Sequence, residues 1–464
     1  MEKQEKIISF IVSLSFFIET MDSTVINTAI PVMSQSLHVN PVDLKLALIS
    51  YLLSLAIFIP ISGWIADKFG IKKVFMCGLL IFTLSSLWCG FSQSLTELVI
   101  ARAIQGLGGA LGMPIGRLII LKTFGSHKLV TEMGRVVMVG ALGMMLGPVL
   151  GGFITHYFSW QWIFWINLPV GAYAIFLAKR WLHDSPPIPV PKLDMLGFIL
   201  FGAGLAGFTF GASALSETNI NFFYSLLITA ISFALLICYA WHSRRRKNPV
   251  IKTDLFKLHT FKLTIIGSLI SRIGFSGMPF MLPLLMQIAF GYSPQLSGLL
   301  LAPTAIGVLL IKPFALPLLR FFGYKKLLLL NTTFVVLSLW VFTIVTIATP
   351  IYLIAIFTFL FGFAASLQFS ALNSLAYSDV SATNQSAANS MVSTVQQISQ
   401  SIGIAICALL LRFFSRGEHF QLTTTVFHHT FFTIGLITFT AILIFAQMKV
   451  DDGEEMLKEP LTAG

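Results

Sequence analysis

Charge is the first thing this chain lacks. Only 11% of its 464 residues are Asp, Glu, Lys or Arg, against roughly 25% in soluble domains. With 56% hydrophobic residues and a mean hydropathy of +0.85, a water-soluble fold is excluded and an integral membrane protein is implied. Cysteine is scarce as well. Cys77, Cys89, Cys238 and Cys407 all fall in apolar runs, with no CxxC and no histidine at ligand spacing, which argues against disulfides and metal binding. No GxxxxGK[ST] phosphate loop is present, so ATP does not drive the protein directly, and no HExxH or other metal-ligand cluster occurs. No cofactor is expected. The N-terminus makes a poor signal peptide: MEKQEK is nearly neutral, a small-x-small cleavage site is missing, and the apolar run passes 20 residues. It is expected to stay on as the first span.

What the chain has in abundance is apolar runs. A span needs about 20 mainly apolar residues, and fourteen such runs can be read: 7–31, 44–66, 73–92, 95–122, 130–156, 162–181, 194–215, 222–242, 262–290, 295–318, 326–348, 351–377, 385–414 and 427–448. The longest interruptions, the proline-stiffened 181–193 and 243–261, are too short for a soluble domain. An even count puts both termini on one side. Lys68, Lys72, Lys73, Lys122, Lys128, Lys179, Arg180, the cluster Arg244 to Lys247, Lys252, Lys257, Arg320, Lys325 and Lys326 share that side, against Lys45, Arg412 and Arg416 opposite. Positive-inside bias therefore places both termini in the cytoplasm. The net charge of +11 is thus spread over short loops, which argues against nucleic-acid binding.

The loop after the second run, GWIADKFGIKK, recurs 253 residues later as LPLLRFFGYKK, pairing Gly70 with Gly323 and Lys72–Lys73 with Lys325–Lys326. Two six-span halves, 1–181 and 262–448, would produce this, with 182–261 carrying two extra spans and 449–464 a cytoplasmic tail. Such repeats mark secondary transporters that rock two bundles around a midplane site.

Four stretches carry a family resemblance. Gly63, Asp67, Lys68, Gly70, Lys72 and Lys73 match the cytoplasmic loop signature of the major facilitator superfamily at every fixed position. Arg102, Gln105 and Gly106 resemble its Arg-x-x-Gln-Gly motif, and Gly143, Gly147, Pro148, Gly151 and Gly152 resemble the motif of its antiporters. Asp22-x-Thr24-x-x-Asn27-x-Ala29-x-Pro31 resembles the first-span signature of the fourteen-span drug:proton antiporter branch. The resemblance implies an all-α membrane fold of two six-helix bundles plus two inserted helices. It also implies a monomeric, non-enzymatic, proton-coupled exporter of drug-like amphiphiles in a bacterial cytoplasmic membrane, working on a small molecule and protons by alternating access. In the second loop copy Arg320 stands where the first has Asp67, and Leu316 where it has Gly63, so a matching latch there is not expected. The glycines at 108, 112 and 116 and at 143, 147 and 151 recur every four residues and suit close helix packing, while Pro148 removes a backbone bond and allows a hinge.

Two carboxylates, Glu19 and Asp22, lie inside the first span, where a charge costs roughly 2.5–3.5 kcal/mol even on lenient scales. Asp22 lies about 13 Å below the outer end of its helix and Arg102 about 10 Å below the start of the fourth, at 1.5 Å per residue. The depths match, so an Asp22–Arg102 pair that protonation would break is expected; a static tie between helices is the plain alternative. Glu19, on a neighbouring part of the same face, is a second proton-coupling candidate. Arg272, also near mid-depth, either pairs with Glu19 or binds an anionic group on the cargo, and the latter would make the protein an exporter of an organic acid or metal chelate. Ser366, Ser370, Asn373 and Tyr377 share one face, and Asn389, Ser393, Gln396 and Gln400 another. These stripes line the cavity or glue helices together, with Gln105, Arg272, Asn373, Asn389, Gln396 and Gln400 the expected cavity residues. The 43 phenylalanines and 16 methionines would suit a greasy, adaptable pocket.

Overall fold

The computed structural model describes residues 2–124, 126–183, 189–214, 221–381 and 384–457. The prolines at 186 and 187 and the tail from 458 onward fall outside the described residues. Apolar runs this long have one way to satisfy their backbone in lipid, the α-helix, and that is what forms. The helices are α1 (Glu2–Ser36), α2 (Lys45–Phe69), α3 (Ile71–Phe91), α4 (Leu95–Thr123), α5 (Ser126–Tyr157), α6 (Trp162–Trp181), α7 (Met195–Ala214) and α8 (Phe222–Ser243). There follow α9 (His259–Ala289), α10 (Pro294–Leu310), α11 (Lys312–Val341), α12 (Ile351–Leu375), α13 (Gln385–Ser415) and α14 (Thr424–Phe445). No strand occurs among the described residues. Helix starts follow the local chemistry: Ser94 and Ser293 each accept a hydrogen bond from the backbone N–H three residues on, both at 3.2 Å, and Pro294 occupies the first turn, where no N–H is needed.

Thirteen of these helices are long and apolar enough to cross a membrane, and α10 is a shorter apolar helix. The expected tenth run, 295–318, is broken differently from the reading above. It pauses at Ile311 and resumes as the first part of α11, which then bends at Gly323, where φ is 69° and ψ 165°. The stretch up to Phe322 therefore completes one crossing and the stretch from Tyr324 makes the next, giving fourteen. Gly70 makes the equivalent bend between α2 and α3, with φ 96° and ψ 133°. Both glycines of the repeated loop sit in backbone that L side chains avoid, which is why one residue suffices to reverse the chain.

The packing repeats as well. In the first half α1 lies on α5, α2 and α3 lie on α4, and α3 lies on α6; in the second, α9 lies on α13, α10 and α11 lie on α12, and α11 lies on α14. The halves meet where α5 packs on α10 and α2 on α13. Helices α7 and α8 form a pair by themselves: Gly204, Gly207 and Gly211 have no room for a Cβ against Leu236, Ser232 and Thr229. The outward side of α8 is exposed Phe223, Leu226, Leu227, Ile231, Phe233 and Ile237, a surface suited to lipid. Cys89 and Cys407 are buried, whereas Cys77 and Cys238 lie exposed on helix surfaces; none is in a disulfide.

Candidate functional site

Each half presents α1 or its counterpart α9 to the other across the middle of the molecule. On α1, Asp22 is fully buried, which a carboxylate tolerates only when paired and hydrogen-bonded. Both conditions hold. Arg102 Nη1 of α4 donates to Asp22 Oδ2 at 2.5 Å, while Oδ1 accepts from Gln105 Nε2 at 3.0 Å and from Asn167 Nδ2 at 2.7 Å. Arg102 also donates to Gln105 Oε1 at 2.5 Å and through Nε to the Ala47 carbonyl at 3.4 Å. Its guanidinium carbon lies 4.3 Å from the Tyr51 ring centroid, a cation–π contact in a desolvated place. Ser86 Oγ closes the network by accepting from Gln105 Nε2 at 2.7 Å. The expected Asp22–Arg102 pair is therefore present, and five helices, α1, α2, α3, α4 and α6, converge on it.

Glu19, also buried, sits one turn away with fewer polar partners. Its Oε1 accepts from Ser15 Oγ at 2.9 Å, and it lies against the glycines of α4: a Cβ on Gly112 would overlap its carboxylate, and one on Gly109 would lie 3.7 Å from Oε2. Arg117 is its nearest cationic influence. Arg272 is not its partner. That guanidinium bonds within its own helix, Nε to Ser268 Oγ at 2.8 Å, and packs over Phe369.

The antiporter-like glycines line the seam between α1 and α5. A Cβ on Gly143, Gly147 or Gly151 would collide with Thr20, Thr24 or Thr28 and with the α1 carbonyls beside them. Those threonines in turn donate to α5 carbonyls: Thr20 to Gly140 at 2.7 Å, Thr24 to Met144 at 3.4 Å and Thr28 to Pro148 at 3.3 Å. Met144 is the carbonyl that Pro148, having no N–H, leaves unpaired, so Thr24 supplies the missing donor from the next helix. Gly152 faces the other way, against Pro294 and Gly298 of α10.

The two polar stripes of α12 and α13 face each other. Gln396 Nε2 donates to Asn373 Oδ1 at 2.7 Å and Tyr377 OH to Asn389 Oδ1 at 3.0 Å, while Ser366 donates to the Val308 carbonyl of α10 at 3.1 Å. Asn389 is exposed, and Asn373, Gln396 and Gln400 are half-buried. In the loop motif, Gly63 has open space around it, Asp67 and Lys72 are half-buried and Lys73 is exposed. Lys68 lies over the Trp64 ring at 4.6 Å. Asn167 was not singled out by sequence: a lone Asn in INLP looks like a turn residue, and only its burial beside Asp22 reveals it.

Fourteen helices, an internal repeat and charges buried within each half define a secondary transporter. The Major Facilitator Superfamily description matches residues 12–404 and 264–461, and the chain belongs to that family. It is 35% identical to "Putative multidrug resistance protein MdtD" of Pectobacterium atrosepticum over 95% of both chains. It is also 33% identical to the protein of that name from an Enterobacter species, over 97% of this chain and 96% of the relative. Among solved structures, a D-xylose–proton symporter superposes with a TM-score of 0.68 at 14% identity, covering 96% of this chain and 98% of that one. An inward-facing bacterial homologue of the lysosomal transporter Spinster gives 0.66 at 14% over both whole chains. The protein is a multi-pass membrane transporter, not an enzyme.

Proposed function

We propose that this chain is a monomeric proton-coupled antiporter that exports amphiphilic small molecules across the bacterial cytoplasmic membrane, with both termini inside. The observation that carries the reading is the Asp22–Arg102 pair, fully buried yet tied to Gln105 and Asn167. A proton arriving from outside binds the Asp22 carboxylate and removes the charge that holds Arg102. The guanidinium then exchanges partners, the halves re-pack, and the proton leaves on the cytoplasmic side as the pair re-forms. Glu19, one turn away, is the second group able to take part. The names of the curated relatives and the first-span signature support a drug-like cargo, and the lysine-rich loops support the orientation.

The test is uptake into inverted vesicles under an imposed pH gradient, run in parallel with an amphiphilic cation, ethidium, and an amphiphilic anion, 2-naphthalenesulfonate, and scored on whichever of the two the wild type accumulates. Asp22→Asn should abolish gradient-driven uptake, while Asp22→Glu retains part of it. Removing one partner of a buried pair costs about 3–5 kcal/mol, so protein level and melting in detergent are measured in parallel, together with the double variant Asp22→Asn/Arg102→Gln. Uptake that persists undiminished in Asp22→Asn would show that proton coupling lies elsewhere.

A further inference from the structure

The buried charges of the two halves do not balance. In the first half Asp22 is met by Arg102, and Glu19 has Arg117 within electrostatic range. In the second, Arg272 is 1% exposed and forms no ion pair among the described residues. Its Nε donates to Ser268 Oγ, but Nη2 is buried without any hydrogen-bond partner. The guanidinium carbon lies 4.7 Å from the centroid of Phe369 and 5.6 Å from that of Phe275. On the same Phe369 ring, 5.8 Å from its centroid, lies the ammonium of Lys312. Lys312 is exposed and donates to Ser370 Oγ at 3.5 Å, so an accessible cation shares this ring with the buried guanidinium.

The internal repeat gives the surplus its meaning. Shifted by 253 residues, Ser15 corresponds to Ser268, Glu19 to Arg272 and Arg117 to Ser370. The same serine–charge bond spans one helical turn in both halves, at 2.9 Å to Glu19 and 2.8 Å from Arg272, with the charge reversed. The cation that accompanies Glu19 has no acidic counterpart beside Arg272; a serine stands at its position and a second cation, Lys312, approaches it. An arginine kept only to join helices would spend its five donors on fixed acceptors, and an unpaired cation at membrane depth is costly. An arginine that leaves Nη2 open has an acceptor that arrives from elsewhere.

We propose that Arg272, with Lys312 across the Phe369 ring, anchors an anionic head group of the exported molecule, a carboxylate, sulfonate or phosphate, while Phe275 and Phe369 contact its apolar body. The cargo is then an amphiphilic anion rather than a lipophilic cation. This rests on the transporter reading but not on where the proton binds. The test uses the purified full-length chain in neutral-lipid nanodiscs, titrated calorimetrically with 2-naphthalenesulfonate and with its charge-reversed isostere, 2-naphthyltrimethylammonium. The sulfonate should bind saturably and the cation at least about tenfold more weakly. Arg272→Gln should weaken sulfonate binding about tenfold or more, Arg272→Lys less, and the exposed Lys312→Gln about threefold, by the size of a charge-assisted hydrogen bond. Equal binding of the two isosteres, or unchanged sulfonate affinity in a folded Arg272→Gln protein, overturns the proposal. Should Arg272→Gln not fold, unchanged affinity in Lys312→Gln does so. Asp22→Asn should stop gradient-driven transport while saturable sulfonate binding and its preference over the cationic isostere persist, so failure of the anion site and failure of proton coupling are read separately.

Discussion

At the scale of single residues, the Asp22 site depends on a side chain that carries no charge. Asn167 holds Asp22 Oδ1 at 2.7 Å from α6, although its own Oδ1 is buried without a partner. An asparagine kept half-satisfied in a dry interior costs free energy, which is tolerable where it orients a carboxylate that must change partners. Asn167→Leu should therefore slow gradient-driven export while changing melting in detergent by no more than a few degrees, because the loss of one bond is offset by removal of a buried amide. A strong loss of stability with full activity in the surviving protein would assign Asn167 to folding alone. Gly112 belongs to the same scale: its hydrogen leaves the space that the Glu19 carboxylate fills.

At the scale of elements, α1 and α5 are joined by a ladder in which threonines of one helix enter glycine gaps of the other. Such packing supplies contact where lipid offers no hydrophobic drive between helices. Gly147→Val should cost about 1–3 kcal/mol through overpacking, seen as lower melting and lost export. Gly134→Val, on the same helix with nothing within 4 Å of its Cβ position, should be neutral. Equal effects of the two substitutions would refute the ladder as the reason for the glycines. Thr24 adds a second function by capping the Met144 carbonyl that Pro148 frees, so a kink can exist in α5 without an orphaned acceptor.

At the scale of the whole molecule, polar ties between the halves lie at the end remote from the termini. Arg412 of α13 pairs with Asp43 before α2, Gln287 Nε2 of α9 donates to the Thr28 carbonyl at 2.9 Å and Tyr157 OH of α5 to Gln295 at 3.3 Å. Lys45, beside Asp43, is fully buried there. The structure is thus closed on that face. The Asp43–Arg412 pair is partly exposed, so its worth is about 1 kcal/mol, a shift of about fivefold between closed and open populations. Arg412→Gln should raise labelling of a reporter cysteine beneath that face by about this factor, and the exchange Asp43→Arg/Arg412→Asp should reverse part of the increase. Unchanged labelling in Arg412→Gln would remove the pair from the gate.

Much of this was legible without coordinates. Fourteen crossings, the repeated loop with its two bend glycines, and the depth match of Asp22 with Arg102 follow from local composition and spacing, because lipid demands a long apolar helix wherever the chain crosses. Which side chains meet is another matter. Asn167 lies 145 positions from Asp22, Thr24 reaches a carbonyl 120 positions away, and the polar stripes of α12 and α13 bond to each other at Asn373–Gln396 and Tyr377–Asn389. Each depends on the rotation of one helix against another, which is set by packing between helices and leaves no periodic trace in either. The single-chain pattern put Arg272 near mid-depth; only the tertiary structure decided that it pairs with no acid among the described residues and leaves Nη2 without an acceptor.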